Sequence, residues 1–256
     1  MGLSVIIITK NNEKTIENCL KSVASIGDEI IVLDSGSEDE TLEIAKKYTP
    51  QVYQTDWPGY GPQKQRALDK ATQDWVLSID SDEVVSPALQ NEILQKIEQE
   101  AYTAYTLPNT MVFAGQVMKH GGCVGRPIRL FQRQHCRFSD DLVHERVIVN
   151  GTIGRLTSTN YHFSYESIDE WLEKMNQYTS LSLDKKSTNK KYTIGKAVVS
   201  GLLTFLKMYV LKKGFLDGRM GFVTAINWAA GNYYKYLKLA LNDRFNQEVV
   251  SNSKGK

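Results

Sequence analysis

The chain has 256 residues, of which 41% are hydrophobic and 23% charged. These totals are typical of a folded protein with one large domain, or one domain and an appendage, and they exclude repeat and low-complexity classes. The three cysteines, Cys19, Cys123 and Cys136, cannot all pair and lack metal-ligand spacing, which favours a reducing compartment. The first apolar run has no basic leader, so we expect no secretory signal and a cytoplasmic protein.

Charge is unevenly distributed along the chain. Residues 1–184 carry 17 Lys and Arg against 26 Asp and Glu, whereas residues 185–240 carry 11 Lys and Arg against a single acid, Asp217. We therefore expect an acidic body and a basic C-terminal segment with different partners. The acidic body and the lack of a nucleic-acid-binding motif argue against nucleic acid as a partner.

The first 80 residues alternate short β-branched runs with segments of helical apolar spacing. Such alternation predicts right-handed βαβ units, and hence an α/β fold with a mostly parallel central sheet. Ligands bind beyond the carboxyl ends of the strands in sheets of this kind. The glycine-rich turn of a dinucleotide-binding fold does not follow the first strand, and a P-loop is absent from the sequence. The predicted strands are 4–9, 29–34, 51–57 and 75–79, and the predicted helices between them are 12–26, 39–48 and 62–72.

An acidic pair, Asp80 and Asp82, follows the fourth predicted strand. Two carboxylates spaced in this way can ligate a hard divalent cation, which in turn neutralises a diphosphate. On its own, the pattern is weak, because Asp-x-Asp occurs by chance in many surface turns.

Three motifs in order give the pair a context: Ser-Val-Ile-Ile-Ile-Thr-Lys-Asn (4–11), Ile-Val-Leu-Asp-Ser-Gly-Ser-Glu-Asp (31–39) and Leu-Ser-Ile-Asp-Ser-Asp-Glu (77–83). Together they resemble the inverting GT-A glycosyltransferases of family 2 over roughly residues 3–165. The resemblance implies a Rossmann-like GT-A sheet with helices on both faces. It also implies a nucleotide-diphosphate sugar donor and Mg²⁺ or Mn²⁺ as the metal.

The resemblance and the charge division together divide the chain. We expect a GT-A catalytic domain at 1–184, with its nucleotide-sugar half at about 1–100 and its acceptor half at about 101–184. A helical extension then occupies 185–256.

Positions in the first two motifs imply the nucleoside pocket. Thr9, Asn11 and Asp34 would line the base and the ribose. The alternative for Asp34, with Ser37, is that both simply cap the second helix.

Positions further along imply the diphosphate and metal contacts. Lys64 falls in the family's basic segment near the phosphates, with Arg66 as its competitor, although Lys64 is equally compatible with a solvated helix face. Asp80 would contact the nucleoside or the metal shell, and Asp82 would ligate the metal.

An inverting transfer is a single displacement, so one side chain must accept the proton of the attacking hydroxyl. Three segments, at 126–131, 142–145 and 161–165, resemble a bacterial branch of family 2 that includes the lipopolysaccharide inner-core β-glucosyltransferases. That resemblance implies Glu145 as the base, with Asp141 as the alternative. It also implies UDP-glucose as the donor and a core heptose as the acceptor.

Four further residues have open roles. His144 would orient the base or touch the acceptor, or else stack in the sheet. His162 would complete the metal shell, as late histidines do in several GT-A enzymes, or be structural. Arg126 and Arg129 would meet an anionic acceptor or the diphosphate, or lie on the surface beside a glycine-bearing loop.

The C-terminal segment is basic and aromatic. Its stretch 194–211 contains Lys196 and Lys207, and the longest uncharged run, 197–206, falls short of the roughly 20 residues that span a bilayer. Helical stretches at 220–231 and 233–241 follow. Lysines beside interfacial aromatics are typical of helices that lie on anionic lipid.

We therefore expect residues 185–240 to associate peripherally with the inner face of the cytoplasmic membrane, where a glycolipid acceptor would be anchored. The alternatives are packing on the catalytic domain or a homo-oligomer contact. Two other functions stay open, a transferase acting on polyprenyl phosphate and a non-catalytic nucleotide-sugar-binding protein. A binding protein would not need a base such as Glu145.

Overall fold

The computed structural model describes residues 1–141, 145–165, 167–184 and 192–253. His144, one of the predicted site residues, and residues 185–191, at the start of the predicted helical extension, lie outside these residues. Cys19, Cys123 and Cys136 are buried free thiols.

Strands alternate with helices through the first hundred residues, as the periodicity predicts. The third strand is shorter than expected and ends before the exposed Trp57. The elements are β1 (Leu3–Thr9), α1 (Ile16–Val23), β2 (Glu29–Asp34), α2 (Thr41–Lys46), β3 (Val52–Gln54), α3 (Tyr60–Leu68), β4 (Trp75–Asp80), β5 (Glu83–Val85) and α4 (Pro87–Gln99).

The rest of the chain has short strands followed by long helices. One continuous helix covers both of the helical stretches predicted after residue 220. The strands are β6 (Ala104–Thr106), β7 (Asn109–Phe113), β8 (Gln116–Val117), β9 (Val124–Gly125), β10 (Ile128–Gln132), β11 (Cys136–Phe138), β12 (Val147–Val149), β13 (Ile153–Arg155) and β14 (Asn160–Tyr165). The helices are a 3-10 turn (Arg133–His135), α5 (Ile168–Asp184), α6 (Ile194–Leu206), a π-helical turn (Lys207–Leu211), a second 3-10 turn (Gly214–Asp217) and α7 (Gly218–Ser253).

Seven strands between residues 3 and 155 form one sheet in the order β13-β6-β10-β4-β1-β2-β3. Strand β1 pairs in parallel with β2 and β4, and β2 pairs in parallel with β3. Strand β10 runs antiparallel to both β4 and β6. Strand β1 is buried along its whole length because helices cover both faces: Val5 and Ile7 pack with α1, and Ile6 and Ile8 with α3. The predicted fold class is confirmed. The carboxyl ends of β1, β2 and β4 meet at one edge of this sheet.

The chain divides into two compact units. The first comprises 1–111 and 125–164, and the second comprises 112–124 and 165–256. Helix α5 and residues 112–124, which comprise the end of β7 and all of β8, thus belong with the C-terminal helices, although the sequence assigned them to the catalytic domain. The reason is aromatic packing, since the buried Trp171 of α5 contacts the rings of Phe113 and Trp228.

One segment within the described residues, Ile194–Leu211, is long and apolar enough to cross a membrane by length and composition, with a mean hydropathy of 1.5. Only 17% of this segment is buried inside the protein.

Candidate active site

The loops after β1, β2 and β4 are joined by side-chain hydrogen bonds. Asn12 Oδ1 accepts from Ser81 Oγ at 2.9 Å and from Thr9 Oγ1 at 3.3 Å, which connects the ends of β1 and β4. Asn11 has a positive φ of 51°, a conformation that asparagine tolerates better than most residues. Its backbone N–H donates to Ser37 Oγ at 2.8 Å. The polar residues predicted for the nucleoside pocket therefore form one cross-linked sheet edge.

Asp34 is fully buried at the end of β2. Its Oδ2 accepts from the backbone N–H groups of Gly36 and Ser37, both at 2.9 Å, and its Oδ1 accepts from the Ser37 hydroxyl. The carboxylate thus holds the turn that leads to α2. Gly36 makes that turn possible because its φ is +85°.

Lys64 projects from α3 into the site and is only 3% exposed, so its alternative placement on a solvated helix face is wrong. Its Nζ lies 2.9 Å from Asp80 Oδ1 and 2.6 Å from Glu145 Oε1. One ammonium group therefore joins the end of β4 to the predicted base, which lies 81 residues further along the chain. Arg66, its competitor, pairs instead with Asp56 at 2.7 Å on the surface.

Arg129, in β10, is buried and is not a surface charge. Its Nη2 lies 2.5 Å from Asp80 Oδ2 and 2.5 Å from Glu83 Oε1. The fully buried Glu83 also accepts from Asn109 Nδ2 at 2.6 Å and from the backbone N–H of Asp80 at 3.1 Å. Arg129 therefore fixes the turn between Asp80 and Glu83, which carries Asp82.

Opposing effects set the pKa values in this cluster. Burial would raise the pKa of Asp80, but the charges of Arg129 and Lys64 outweigh it and hold that pKa well below its usual range. Burial dominates at Glu83, whose pKa is raised although Arg129 opposes the change. Asp80 is therefore ionised throughout the physiological pH range.

Asp82 lies beside His162 at the exposed side of the cluster. Asp82 Oδ2 and His162 Nε2 are 3.2 Å apart, and the two side chains are 23% and 32% exposed. The pairing of β5 with β14, in which His162 lies opposite Glu83, brings these residues together. Burial lowers the pKa of His162, but the hydrogen bond to Asp82 and the nearby carboxylates more than offset it, so the pKa is raised.

This pair suits a cation that takes its remaining ligands from a bound diphosphate. Mg²⁺ is usually held by one or two carboxylates together with substrate phosphates and water. Within the described residues, no group of three His, Cys, Asp or Glu side chains is placed to enclose a metal ion. Asp82 and His162 would therefore supply one oxygen and one nitrogen and leave the other positions to the donor.

The loop that leads to Glu145 rests on the first turn of α3. The backbone N–H of Gly61 donates to Asp141 O at 3.2 Å. A Cβ at position 61 would lie 2.0 Å from Ser139 O, so only glycine permits this approach. Asp141 accepts from Ser139 Oγ at 2.9 Å and is more exposed than Glu145.

The structure brings together Lys64, the pair Asp80 and Asp82, Glu145 and His162, which come from four separate segments of the chain. Arg126 is exposed and donates to Leu156 O at 3.3 Å instead of joining the cluster.

Comparison with known proteins identifies the family of the chain. The family Glycosyl transferase family 2 matches residues 4–132, which include β1, β2, β4 and their polar ends. The chain belongs to glycosyltransferase family 2. It is accordingly an enzyme, and a purely binding function is excluded.

Relatives of this family-2 glycosyltransferase cover nearly its whole length. An uncharacterized glycosyltransferase of Rickettsia typhi is 33% identical over 93% of the chain and 86% of the relative. The lipopolysaccharide core biosynthesis glycosyltransferase LpsC of Rhizobium meliloti is 27% identical over 94% of the chain and 91% of LpsC. The similarity therefore extends through the C-terminal helices as well as the catalytic unit.

The fold has solved counterparts. The chain is similar to Staphylococcus aureus TarS 1–349, solved in complex with UDP-GlcNAc, with a TM-score of 0.50 and 18% identity. The match covers 96% of this chain and 92% of that one. At this identity, the likeness shows the fold alone.

Sequence reasoning missed several supporting residues of this glycosyltransferase. Glu83 directly follows the acidic pair but received no role, and Asn109 lies in an otherwise apolar stretch. Their only sequence signal is a charged or amide residue within a buried strand, which needs a buried partner. Gly61 directly precedes the predicted helix at 62–72 and gave no signal of its own, because the loop that requires it is about 80 residues away.

Proposed function

We propose that the chain is an inverting, divalent-metal-dependent glycosyltransferase that transfers glucose from UDP-glucose to a heptose of the lipopolysaccharide core. The acceptor is anchored in the membrane, and the enzyme acts at its inner face. The observation that carries this proposal is that one buried lysine, Lys64, pairs both with Asp80, two residues before the Asp82 that would bind the metal, and with Glu145, which would be the base.

Glu145 is suited to accept a proton at a fixed position. Its side chain is 18% exposed, and Lys64 Nζ lies 2.6 Å from Oε1, which restricts the rotation of the carboxylate. The second oxygen, Oε2, would take the proton of the acceptor hydroxyl as that hydroxyl attacks the anomeric carbon. A base of this kind typically contributes about a hundredfold to ten-thousandfold in rate.

Asp82 and His162 would hold the metal. Family 2 enzymes commonly use a divalent metal. When bound, Mg²⁺ or Mn²⁺ would supply the positive charge that stabilises the leaving diphosphate. Arg129 would act only through Asp80 and Glu83, by keeping the turn that carries Asp82 rigid.

Similarity to LpsC supports the choice of acceptor, because it covers more than nine-tenths of both chains. The basic segment at 185–240 supports a membrane location, since cytoplasmic leaflets are anionic. A polyprenyl phosphate acceptor would favour the same location and is therefore the alternative to exclude by experiment.

A product assay tests this proposal. The purified enzyme is incubated with Mn²⁺, UDP-glucose and either heptose-terminated core lipopolysaccharide or polyprenyl phosphate, and the product is examined by NMR. We expect a β-linked glucose on the core acceptor alone. An α-linked product would overturn inversion, and transfer to polyprenyl phosphate alone would overturn the acceptor.

A further inference from the structure

Helix α6 contacts α7 through its small side chains. Ala197, Gly201 and Thr204 are the buried residues of α6 and recur at helical spacing. A Cβ on Gly201 would lie 3.2 Å from the Cβ of Tyr233, and Thr204 Oγ1 accepts from Asn232 Nδ2 at 2.6 Å. The two helices therefore pack closely and with fixed register.

The outward face of α6 carries large aliphatic side chains. Leu202 and Leu203 are each 61% exposed, and Leu211, in the π-helical turn that follows, is 77% exposed. This distribution is the reverse of that on a water-exposed helix, which turns its large apolar residues towards the protein. A continuous exposed apolar surface of this kind marks an interaction site. We call the exposed set the α6 apolar face: Val198, Val199, Leu202, Leu203, Leu206 and Leu211.

Cationic side chains border this face. Lys207, Lys212 and Lys213 are exposed around its C-terminal end, and Lys196 lies near its start. The single acid between residues 192 and 241, Asp217, is buried and lies 2.8 Å from His120 Nδ1. Apolar side chains rimmed by lysines complement an anionic lipid surface more closely than they complement a protein.

We infer that α6 inserts its apolar face into one leaflet of an anionic membrane and lies in the plane of that membrane. The segment 194–211 would span about 27 Å as a helix, slightly less than the roughly 30 Å of a bilayer's hydrocarbon core. A crossing α6 would also carry the packed stretch of α7 into the hydrocarbon, including Asn232 and Lys235, at high cost. An in-plane position leaves these polar groups at the interface.

This inference builds on the proposed function, because an in-plane anchor would bring the enzyme to a lipid-anchored acceptor. It is nevertheless independent of catalysis. Binding of the full chain is measured with vesicles of phosphatidylcholine alone or mixed with phosphatidylglycerol. We expect binding only to the anionic vesicles. Binding to neither kind of vesicle, or equal binding to both, would overturn the inference.

Two variants isolate the apolar face without changing charge. Leu202→Gln combined with Leu203→Gln should weaken vesicle binding about tenfold or more, since two large side chains lose their burial in lipid. The control is Leu94→Gln, which changes an exposed leucine on α4 and should bind normally. Unchanged binding in the double variant would overturn the inference. So would a dimer in solution that the double variant dissociates, because a second copy would then cover the face.

Labelling distinguishes the in-plane position from a span. A membrane-impermeant amine reagent added outside the vesicles should modify both Lys196 and Lys212, which lie at opposite ends of the segment. Protection of either lysine only in the vesicle-bound state would show a crossing helix and overturn the inference.

The same samples are assayed for transfer to a detergent-dispersed acceptor. Transfer without vesicle binding would refute the inference alone, and vesicle binding without transfer would refute the proposed function alone.

Discussion

The ammonium group of Lys64 forms ion pairs with two carboxylates. Asp80 and Glu145 both lie within 3 Å of its Nζ, and the lysine is almost completely buried. The charge of this lysine helps to lower the pKa of Asp80, and its contact with Glu145 holds that side chain in one orientation. Its removal should therefore affect catalysis through the base as well as through the donor.

The Lys64–Glu145 contact predicts strong coupling between the two residues. Glu145→Gln should retain donor binding but reduce transfer about a hundredfold or more, because the amide cannot accept the proton. Lys64→Met should also reduce transfer, and the double variant should deviate from additivity by about 0.5–3 kcal/mol in transition-state free energy. Steady-state kinetics of the four enzymes measures this coupling. Lys70→Met, at an exposed position after the same helix, provides the control cycle, which should be additive.

Arg129 belongs to a buried ion cluster whose role is to hold the turn at Asp82. Arg129→Met leaves Glu83 buried without its cation and should lower the free energy of unfolding by about 3–5 kcal/mol. Adding Glu83→Gln to this variant removes the stranded charge and should restore part of the loss. Urea denaturation measures both effects, with the exposed Arg137→Met as the control. A double variant less stable than Arg129→Met would contradict this assignment.

At the scale of elements, the contact between α3 and the loop before β12 is the part of the site most sensitive to substitution. Gly61 allows the loop to approach the first turn of the helix, and the same helix carries Lys64. Ser139, which approaches Gly61, also pairs with Arg146: its backbone N–H donates to Arg146 O at 2.9 Å, and its hydroxyl accepts from the Arg146 N–H at 3.0 Å. The contact with α3 is therefore connected to the residue next to Glu145.

Gly61→Ala should accordingly displace this loop. The added Cβ would lie 2.0 Å from Ser139 O, so the loop must move away from α3 and take Glu145 with it. We expect kcat to fall on the order of a hundredfold, with a smaller change in the KM for the donor. Gly195→Ala is the control, because its nearest neighbouring atom is 4.0 Å away. Equal activity of the two variants would show that the loop does not position the base.

The sequence predicts the elements of the sheet better than their long-range contacts. Apolar runs located β1, β2 and β4 to within a residue at either end, because strands buried on both faces leave a continuous hydrophobic signal. The pairing of Lys64 with Glu145 could not be predicted, since it depends on how a helix and a loop 81 residues apart meet. The position of Arg129 could not be predicted either, because a charged residue in a strand is equally consistent with a functional role and with burial.

At the scale of the whole molecule, the chain combines an acidic catalytic unit with a basic helical unit. The charge division was visible in the sequence, and the helices after residue 194 were predicted from their apolar and aromatic residues, whereas α5 was not predicted. The sequence did not predict that residues 112–124 belong to the helical unit. This assignment results from long-range contacts, such as the hydrogen bond that the backbone N–H of His120 donates to Asp217. Each unit has its own predicted partner, a nucleotide sugar for the first and lipid for the second.

The most direct test of the proposed function is a calorimetric titration of UDP-glucose into the full chain, first with Mn²⁺ and then with EDTA. We expect binding with Mn²⁺, and its loss both with EDTA and in Asp82→Ala, because Asp82 would hold the metal that the diphosphate requires. Asp74→Ala, which changes an exposed carboxylate just before the amino end of β4, should bind as the unaltered enzyme does. Equally tight binding with Mn²⁺ and with EDTA, or full binding by folded Asp82→Ala, would contradict a metal-dependent donor site at Asp82.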